Sequence, residues 1–227
     1  MNIKDNKLVL VAVGVIVLIV LGFVLFSKKD VSETPVSEEV VVIEKVDYDG
    51  SYVIDLDNSL VVWEGKKTFV VDYADQGVIY PSEGTIVFTD GMIESGSIVF
   101  DMNSITALST GKNSGQDMLS KHLKSADFFD TEKYPESSFV IFEVASDPSR
   151  PGSYMLFGDM TIKGKTLPIS VPVSMLQVEQ GIALVGDIAV DRTLWDVQFG
   201  SGKFFQNLAD NTIDDYFTIS FSLVVKE

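Results

Sequence analysis

The sequence predicts an all-β protein: an antiparallel barrel of about eight strands with a short helix near its mouth, preceded by one N-terminal transmembrane helix. Apolar and polar residues alternate with a period of two from Leu167 to Met175 and from Phe217 to Val225, as in strands that bury one face. Turn sequences such as Lys163-Gly164-Lys165 and Gln180-Gly181 separate the strand-like runs. A long apolar run near the N-terminus predicts the membrane helix.

The N-terminal segment, residues 1–29, is predicted to be a membrane anchor. Its apolar run from Leu8 to Phe26 has 19 residues, and a helix of that length covers about 28 Å, close to the roughly 30 Å hydrocarbon core of a bilayer. Ser27-Lys28-Lys29 follows without a small-residue cleavage pattern, so we expect a retained single-pass anchor, with an uncommonly long signal peptide as the alternative. Lysines flank the run equally, and the N-terminal amine favours an N-inside orientation. We therefore expect the cytoplasmic membrane, with the C-terminal domain outside.

Two further segments follow the anchor. Residues 30–50 carry seven acidic residues against one base, Lys45, which predicts an extended acidic linker. Residues 51–227 form the predicted barrel domain. A barrel leaves no exposed sheet edges, and at about eight strands its interior can hold one small ligand. Pro168 and Pro172 fall on the polar face of their strand and predict an edge or a bulge there.

Composition excludes several classes of protein. The net charge of −16 argues against nucleic-acid binding, which needs clustered Lys and Arg. The absence of cysteine excludes disulfides and thiolate metal sites, and a single histidine, His122, excludes a multi-histidine metal site. Neither a phosphate-binding loop nor a dinucleotide fingerprint is present. We therefore expect no enzymatic activity, no metal and no cofactor.

Two polar side chains stand out as candidates for ligand contact. His122 lies in the helix predicted near 114–127, where it is either a structurally satisfied helix residue or a polar contact to a ligand. Arg192 follows an apolar strand and precedes Trp195. It could bind a phosphate or another head group. Alternatively it could pair with Asp191 or Asp196, or stack on an aromatic ring as a structural latch. A second helical interruption is considered near 203–210.

Four separated segments resemble one known family. They are HLKSADFFDTEKYPESSF (His122 to Phe139), GDMTIKGKTLPISVPV (Gly158 to Val173), the stretch from Ile188 to Val225, and Ser104-Ile105-Thr106. Together they make the chain from about Ser51 to Lys226 similar to the YceI-like proteins, a lipid- or polyisoprenoid-binding, lipocalin-like family. The resemblance implies a lipocalin-like barrel with an elongated apolar cavity for an isoprenoid, quinone or fatty-acid-like chain. It also implies export to the periplasm or cell envelope.

These observations predict a binding protein whose partners are a hydrophobic small molecule and, through its N-terminal helix, the membrane. The cavity lining is predicted from apolar residues on the inferred inward faces, and His122 and Arg192 are candidates for its polar end. The predicted lining comprises Trp63, Phe88, Phe100, Phe128, Phe139, Ile141, Ile169, Val171, Leu184, Trp195, Phe199, Phe217 and Phe221. The alternative is an envelope interaction module with a filled barrel and no lipid ligand. The oligomeric state is left open, with a homodimer among the arrangements considered.

Overall fold

The structure, a computed structural model, describes residues 48–227. The predicted anchor and nearly all of the predicted linker lie outside these residues, so both stay predictions. Between residues 48 and 227, no helix combines the length and the apolar character that crossing a membrane requires.

The described chain is built almost entirely from antiparallel strands. They are β1 (Gly50–Ile54), β2 (Leu60–Lys66), β3 (Ala74–Thr89), β4 (Met92–Ser109), β5 (Glu136–Ser146), β6 (Ser153–Ile162), β7 (Lys165–Val178), β8 (Gly181–Asp191) and β9 (Tyr216–Lys226). One α-helix, α1 (Gln116–Lys124), lies between β4 and β5, and two short 3₁₀ turns, Arg192–Trp195 and Ala209–Asn211, lie between β8 and β9.

The strands close into a barrel with eight positions. The hydrogen-bonded order runs β3-β2-β9-β8-β7-β6-β5-β4, and β4 pairs back onto β3. The ninth strand, β1, pairs with both β3 and β9, so it shares with β2 the position between those two strands. The predicted antiparallel barrel of about eight strands with one short helix is therefore confirmed. The helical interruption considered near 203–210 is only the 3₁₀ turn Ala209–Asn211.

The two ends of the barrel differ. At one end, here called the helix end, lie the long connections 67–73, 110–135 and 192–215 and the short turn 163–164. At the other, the far end, lie the turns 90–91, 147–152 and 179–180. The far end is packed by aromatic rings, because Phe88 contacts Tyr52 and Tyr48 at centroid distances of 5.1 and 5.9 Å.

The helix α1 covers one side of the helix end. Gly115 precedes it with φ +86°, a left-handed conformation that favours glycine. Leu119 and Leu123, four residues apart, pack on the same apolar cluster as Trp63 and Phe128, as the helical repeat requires.

The prolines of β7 lie where the sheet is paired on one side only. Residues 165–174 of β7 pair with β6, whereas the pairing of β7 with β8 covers only Ser174 to Val178. Pro168 and Pro172 therefore need no donor towards β8, which agrees with the edge predicted for them. Trp195 is 2% exposed and packs beside this stretch against Ile162 and Val190.

Candidate functional site

A cavity lies inside the barrel, with a volume of about 230 Å³. A single buried water needs only about 10–15 Å³ of comparable space, so the interior is not a tightly filled core. Almost all of its lining is apolar. The cavity extends from Ile86 and Val173, within the barrel, to Lys66, Lys67 and Asp75 at the helix end.

Ten of the fifteen side chains predicted from the sequence line this cavity. They are Trp63, Phe100, His122, Phe128, Phe139, Val171, Leu184, Arg192, Phe217 and Phe221. They come from six strands, from α1 and the corner that follows it, and from the first 3₁₀ turn. The barrel thus brings together residues that are up to 158 positions apart in the chain.

The other five predicted residues lie elsewhere. Phe88 belongs to the aromatic packing of the far end. Ile141 is buried in the main core and Ile169 is half-buried against it. Trp195 is buried beside the wall and donates its Nε1–H to the carbonyl of Met160 at 3.1 Å. Phe199 is 40% exposed at the helix end.

Several lining residues escaped the prediction although their strands were recognised. Ile98 and Met102 flank Phe100 on the same face of β4, Ile219 lies between Phe217 and Phe221 on β9, and Val173 follows Val171 on β7. Period-two alternation places each of these on the inward face, and that pattern alone could have found them. Leu119 and Phe129 also line the cavity, but they come from α1 and its following corner, where strand alternation gives no guidance.

Charged residues, among them Lys66, Lys67 and Asp75, line the cavity at its helix end. Lys66 forms an ion pair with Glu64 at 2.8 Å, and the hydrogen bond to Glu64 raises the pKa of Lys66. The ammonium of Lys67 lies 5.0 Å from the centroid of the Tyr73 ring, within cation–π range. Lys66, Lys67 and Asp75 therefore form a polar border to an apolar interior.

Arg192 is buried, with 3% of its surface exposed. Its guanidinium donates to four backbone carbonyls, those of Asp214 (3.0 Å), Val197 (2.7 Å), Phe199 (2.9 Å) and Ile213 (3.3 Å). A guanidinium has five N–H donors, so these bonds use most of its capacity. This geometry ties together the two ends of the 192–215 connection, and a head-group role for Arg192 stays a prediction.

The pKa of Arg192 is set by its burial and by three nearby carboxylates. Burial lowers the pKa of Arg192, while the nearby carboxylates of Asp215, Asp191 and Asp214 act in the opposite direction. Its charge is also stacked over an aromatic ring, since its Cζ lies 5.6 Å from the centroid of Phe128. Of the pairings considered from the sequence, the aromatic stack is therefore present.

The acidic neighbours of Arg192 are held mainly by lysines. Lys203 bridges Asp191 at 3.0 Å and Asp215 at 3.1 Å, and Lys165 contacts Asp196 at 3.4 Å. Burial raises the pKa of Asp191, but hydrogen bonds from Thr193 and Lys203 more than offset this, so the pKa lies below its ordinary value. These bonds fix the 192–215 connection over the end of the barrel.

His122 sits in an aromatic environment at the entrance to the cavity. Its ring lies 4.5 Å from that of Phe199 and 5.3 Å from that of Phe128, both nearly edge-on. Trp63 lines the cavity nearby, and its buried Nε1–H has no hydrogen-bond partner among residues 48–227. The polar atoms that border the cavity are therefore few and lie at its helix end.

The closed antiparallel barrel and its apolar cavity define the class of the described residues, a small β-barrel with an apolar interior cavity. The chain belongs to the YceI-like family, because the model of the YceI-like domain matches residues 52–225. The resemblance noted in the sequence is thereby confirmed.

Curated relatives match over shorter stretches. The UPF0312 protein plu2095 of Photorhabdus laumondii is 39% identical over 56 residues, which are 25% of this chain and 28% of that protein. Protein YceI of Escherichia coli O6:H1 is 30% identical over 76 residues, which are 34% of this chain and 38% of that protein. The matches thus span less than two fifths of these relatives.

Solved structures share the whole barrel. The crystal structure of BcnA from Burkholderia cenocepacia is 25% identical, with a TM-score of 0.60 over 77% of this chain and 99% of that chain. A polyisoprenoid binding domain from Saccharophagus degradans has a TM-score of 0.57 at 15% identity, over 78% of this chain and 99% of that one. The second likeness concerns the fold alone.

Proposed function

We propose that this protein is a membrane-anchored, extracytoplasmic binding protein that holds an isoprenoid, quinone or acyl-chain lipid inside its barrel. The observation that carries this proposal is the apolar cavity of about 230 Å³ enclosed by the strands. Such a cavity suits a ligand that gains free energy by leaving water and needs few polar contacts. Binding results from transfer of the apolar chain out of water, and no residue has a catalytic role in it.

The energetics favour a long apolar chain. Each CH₂ group removed from water contributes about 0.8 kcal/mol, so ten such groups contribute roughly 8 kcal/mol before the cost of ordering the chain. The lining supplies matching surfaces, with the rings of Phe100 and Phe139 and the aliphatic side chains of Val171 and Leu184. A ligand bound in this way would place its polar end near His122 at the helix end.

Relatives support the ligand class and the N-terminal sequence supports the location. The matched domain of Saccharophagus degradans is described as polyisoprenoid binding, and we extend lipid binding to this chain on the strength of its cavity. The apolar run from Leu8 to Phe26 supports a single-pass anchor in the cytoplasmic membrane with the barrel outside. Such an anchor would keep the barrel close to a source of lipid.

The alternative, an envelope interaction module with a filled barrel, requires an interior closed by side chains. The cavity runs counter to that requirement. The proposal therefore rests on lipid binding.

A matched pair of valine substitutions tests the proposal. Val173 is 4% exposed and lines the cavity, whereas Val140 on β5 is 48% exposed. We expect Val173→Phe to lower the affinity for an added isoprenoid quinone by about tenfold or more, because the new ring displaces several ligand carbons at about 0.8 kcal/mol each. Val140→Phe should leave the affinity unchanged.

The measurement is a titration of the purified protein that follows tryptophan fluorescence, with a melting curve for each variant. Trp63 lines the cavity and reports its occupation directly. Equal affinities for the two folded variants, or no binding of quinone, polyprenyl phosphate or fatty acid by the unaltered protein, would contradict the proposal.

A further inference from the structure

Large apolar side chains are exposed around the helix end of the barrel. They come from separate connections and strand ends that meet at this end, and we call them the apolar rim. The apolar rim consists of Phe69, Val71, Leu108, Met118, Leu194, Phe199, Phe204, Phe205 and Tyr216. Val71 and Met118 are 87% and 77% exposed. A concentration of exposed apolar groups at one end of a molecule is typical of an interaction surface.

The rim is continuous with the cavity. Phe199 belongs to the rim and touches His122, whose ring lines the cavity, at a centroid distance of 4.5 Å. Lys66 and Lys67 line the cavity, and Phe69 follows Lys67 two positions later in the chain. Whatever covers the rim therefore also faces the entrance to the cavity.

Charge is distributed unevenly between the ends. The helix end, counted as residues 64–75, 107–138, 160–167 and 189–218, carries ten basic and thirteen acidic side chains, a net charge of −3. The rest of residues 48–227 carries two basic side chains, Arg150 and Lys226, and thirteen acidic ones, a net charge of −11. An anionic surface would therefore repel the rest of the barrel, which includes the far end, much more strongly than it would repel the helix end.

We propose that the apolar rim docks the mouth of the barrel onto a lipid bilayer, so that a lipid can pass between membrane and cavity without crossing water. Phenylalanine, leucine and methionine side chains enter the boundary between head groups and acyl chains, where tyrosine is also favoured. Lys66 and Lys67, at the same end of the barrel, can lay their aliphatic stems along the apolar surface and keep their charges among the head groups. The uneven charge orients the molecule with its helix end towards the bilayer.

This proposal rests on the lipid-binding function proposed above, but docking and ligand binding can be measured separately. The barrel domain, residues 45–227, is a compact unit. The match to the solved structure of BcnA includes 77% of this chain and 99% of the BcnA chain. A chain about as long as the barrel domain therefore folds by itself. Testing the barrel domain alone removes any contribution of the N-terminal apolar run to membrane binding.

Co-sedimentation with phosphatidylcholine vesicles compares the domain with two variants. The rim variant carries Phe204→Glu and Phe205→Glu, at side chains that are 48% and 46% exposed. The control carries Phe142→Glu on β5, away from the helix end, at a side chain that is 58% exposed. We expect the rim variant to reduce the bound fraction at least fivefold and the control to match the unaltered domain. Uptake of quinone from detergent solution should persist in the rim variant, which separates a failure of docking from a failure of ligand binding.

A second readout uses the absence of native cysteine. The variant Phe204→Cys, labelled with an environment-sensitive fluorophore, should shift its emission to the blue on vesicle addition, and the labelled variant Phe142→Cys should not. With phosphatidylglycerol vesicles, added salt should increase binding, because it screens the repulsion of a negative domain. Binding that salt abolishes would replace apolar docking with electrostatic attraction and overturn the proposal.

Three further outcomes would overturn it. The unaltered domain could fail to bind vesicles, or the rim variant could bind as well as the control. Light scattering could instead show that the domain is a dimer that Phe204→Glu with Phe205→Glu converts to monomers, in which case a second copy of this chain covers the rim.

Discussion

Arg192 shows how one side chain can hold an irregular connection in place. Its guanidinium reaches backbone carbonyls on both sides of the 192–215 connection, and its charge stacks on Phe128, which lines the cavity. An arginine suits this role better than a lysine because its planar group offers several donors in fixed directions. Arg192 thus connects the 192–215 segment, which lies over the helix end of the barrel, to Phe128 in the cavity wall.

Replacement of this side chain, Arg192→Ala, should destabilise the barrel. It leaves several buried carbonyls without donors, a loss of about 3 kcal/mol in the free energy of unfolding, which lowers Tm by about 10 °C in a domain of this size. Arg150→Ala is the control, because Arg150 is exposed and its one ion pair within residues 48–227 is with Asp147. Its Tm should change by no more than about 2 °C.

Thermal unfolding of the two variants measures this difference. If Arg192→Ala keeps the Tm of the unaltered protein and changes only which lipid head group is bound, Arg192 is a ligand-binding residue and the structural interpretation is wrong.

At the scale of the elements, pairing between strands shapes the cavity through small residues. Gly158 on β6 lies beside Phe139 of β5, and a Cβ at Gly158 would come within 2.5 Å of the Phe139 ring. The absence of a side chain at Gly158 leaves the space that this ring occupies, and the ring also lines the cavity. The glycine therefore determines the position of an aromatic lining residue.

Gly158→Ala should move the Phe139 ring and cost roughly 1–3 kcal/mol of stability by overpacking. Gly65→Ala on β2 is the control, because nothing lies within 4 Å of the position its Cβ would take. Chemical denaturation compares the two free energies of unfolding. Equal stabilities for the two variants would show that the Phe139 ring has other space and that Gly158 does not constrain it.

The strands were predictable because their signal is local. Alternation from Leu167 to Met175 and from Phe217 to Val225 predicts which side chains share a face. The burial of β7 alternates in this way, and Phe217, Ile219 and Phe221 of β9 all line the cavity. The division of one barrel position between β1 and β2 was not predictable, since it depends on pairing with β3 and β9, which are distant in sequence. Long-range pairing leaves no local pattern.

On the scale of the whole molecule, the barrel is asymmetric from end to end. Aromatic packing around Phe88 fills the far end, whereas the cavity extends to the helix end and its polar border. The position of each predicted lining residue along the barrel decides whether it reaches the cavity. Phe100 and Phe217 line the cavity, whereas Phe88 lies at the far end and does not. Sequence alternation identifies an inward face, but position along the barrel axis depends on register, which only the assembled sheet provides.

The most direct test of lipid binding is native mass spectrometry of the purified barrel domain, residues 45–227, before and after denaturing lipid extraction. We expect an adduct of isoprenoid or acyl-chain mass that denaturation releases, or one that forms after addition of quinone, polyprenyl phosphate or fatty acid. A protein that carries no adduct from its host and takes up none of these added lipids would contradict the account.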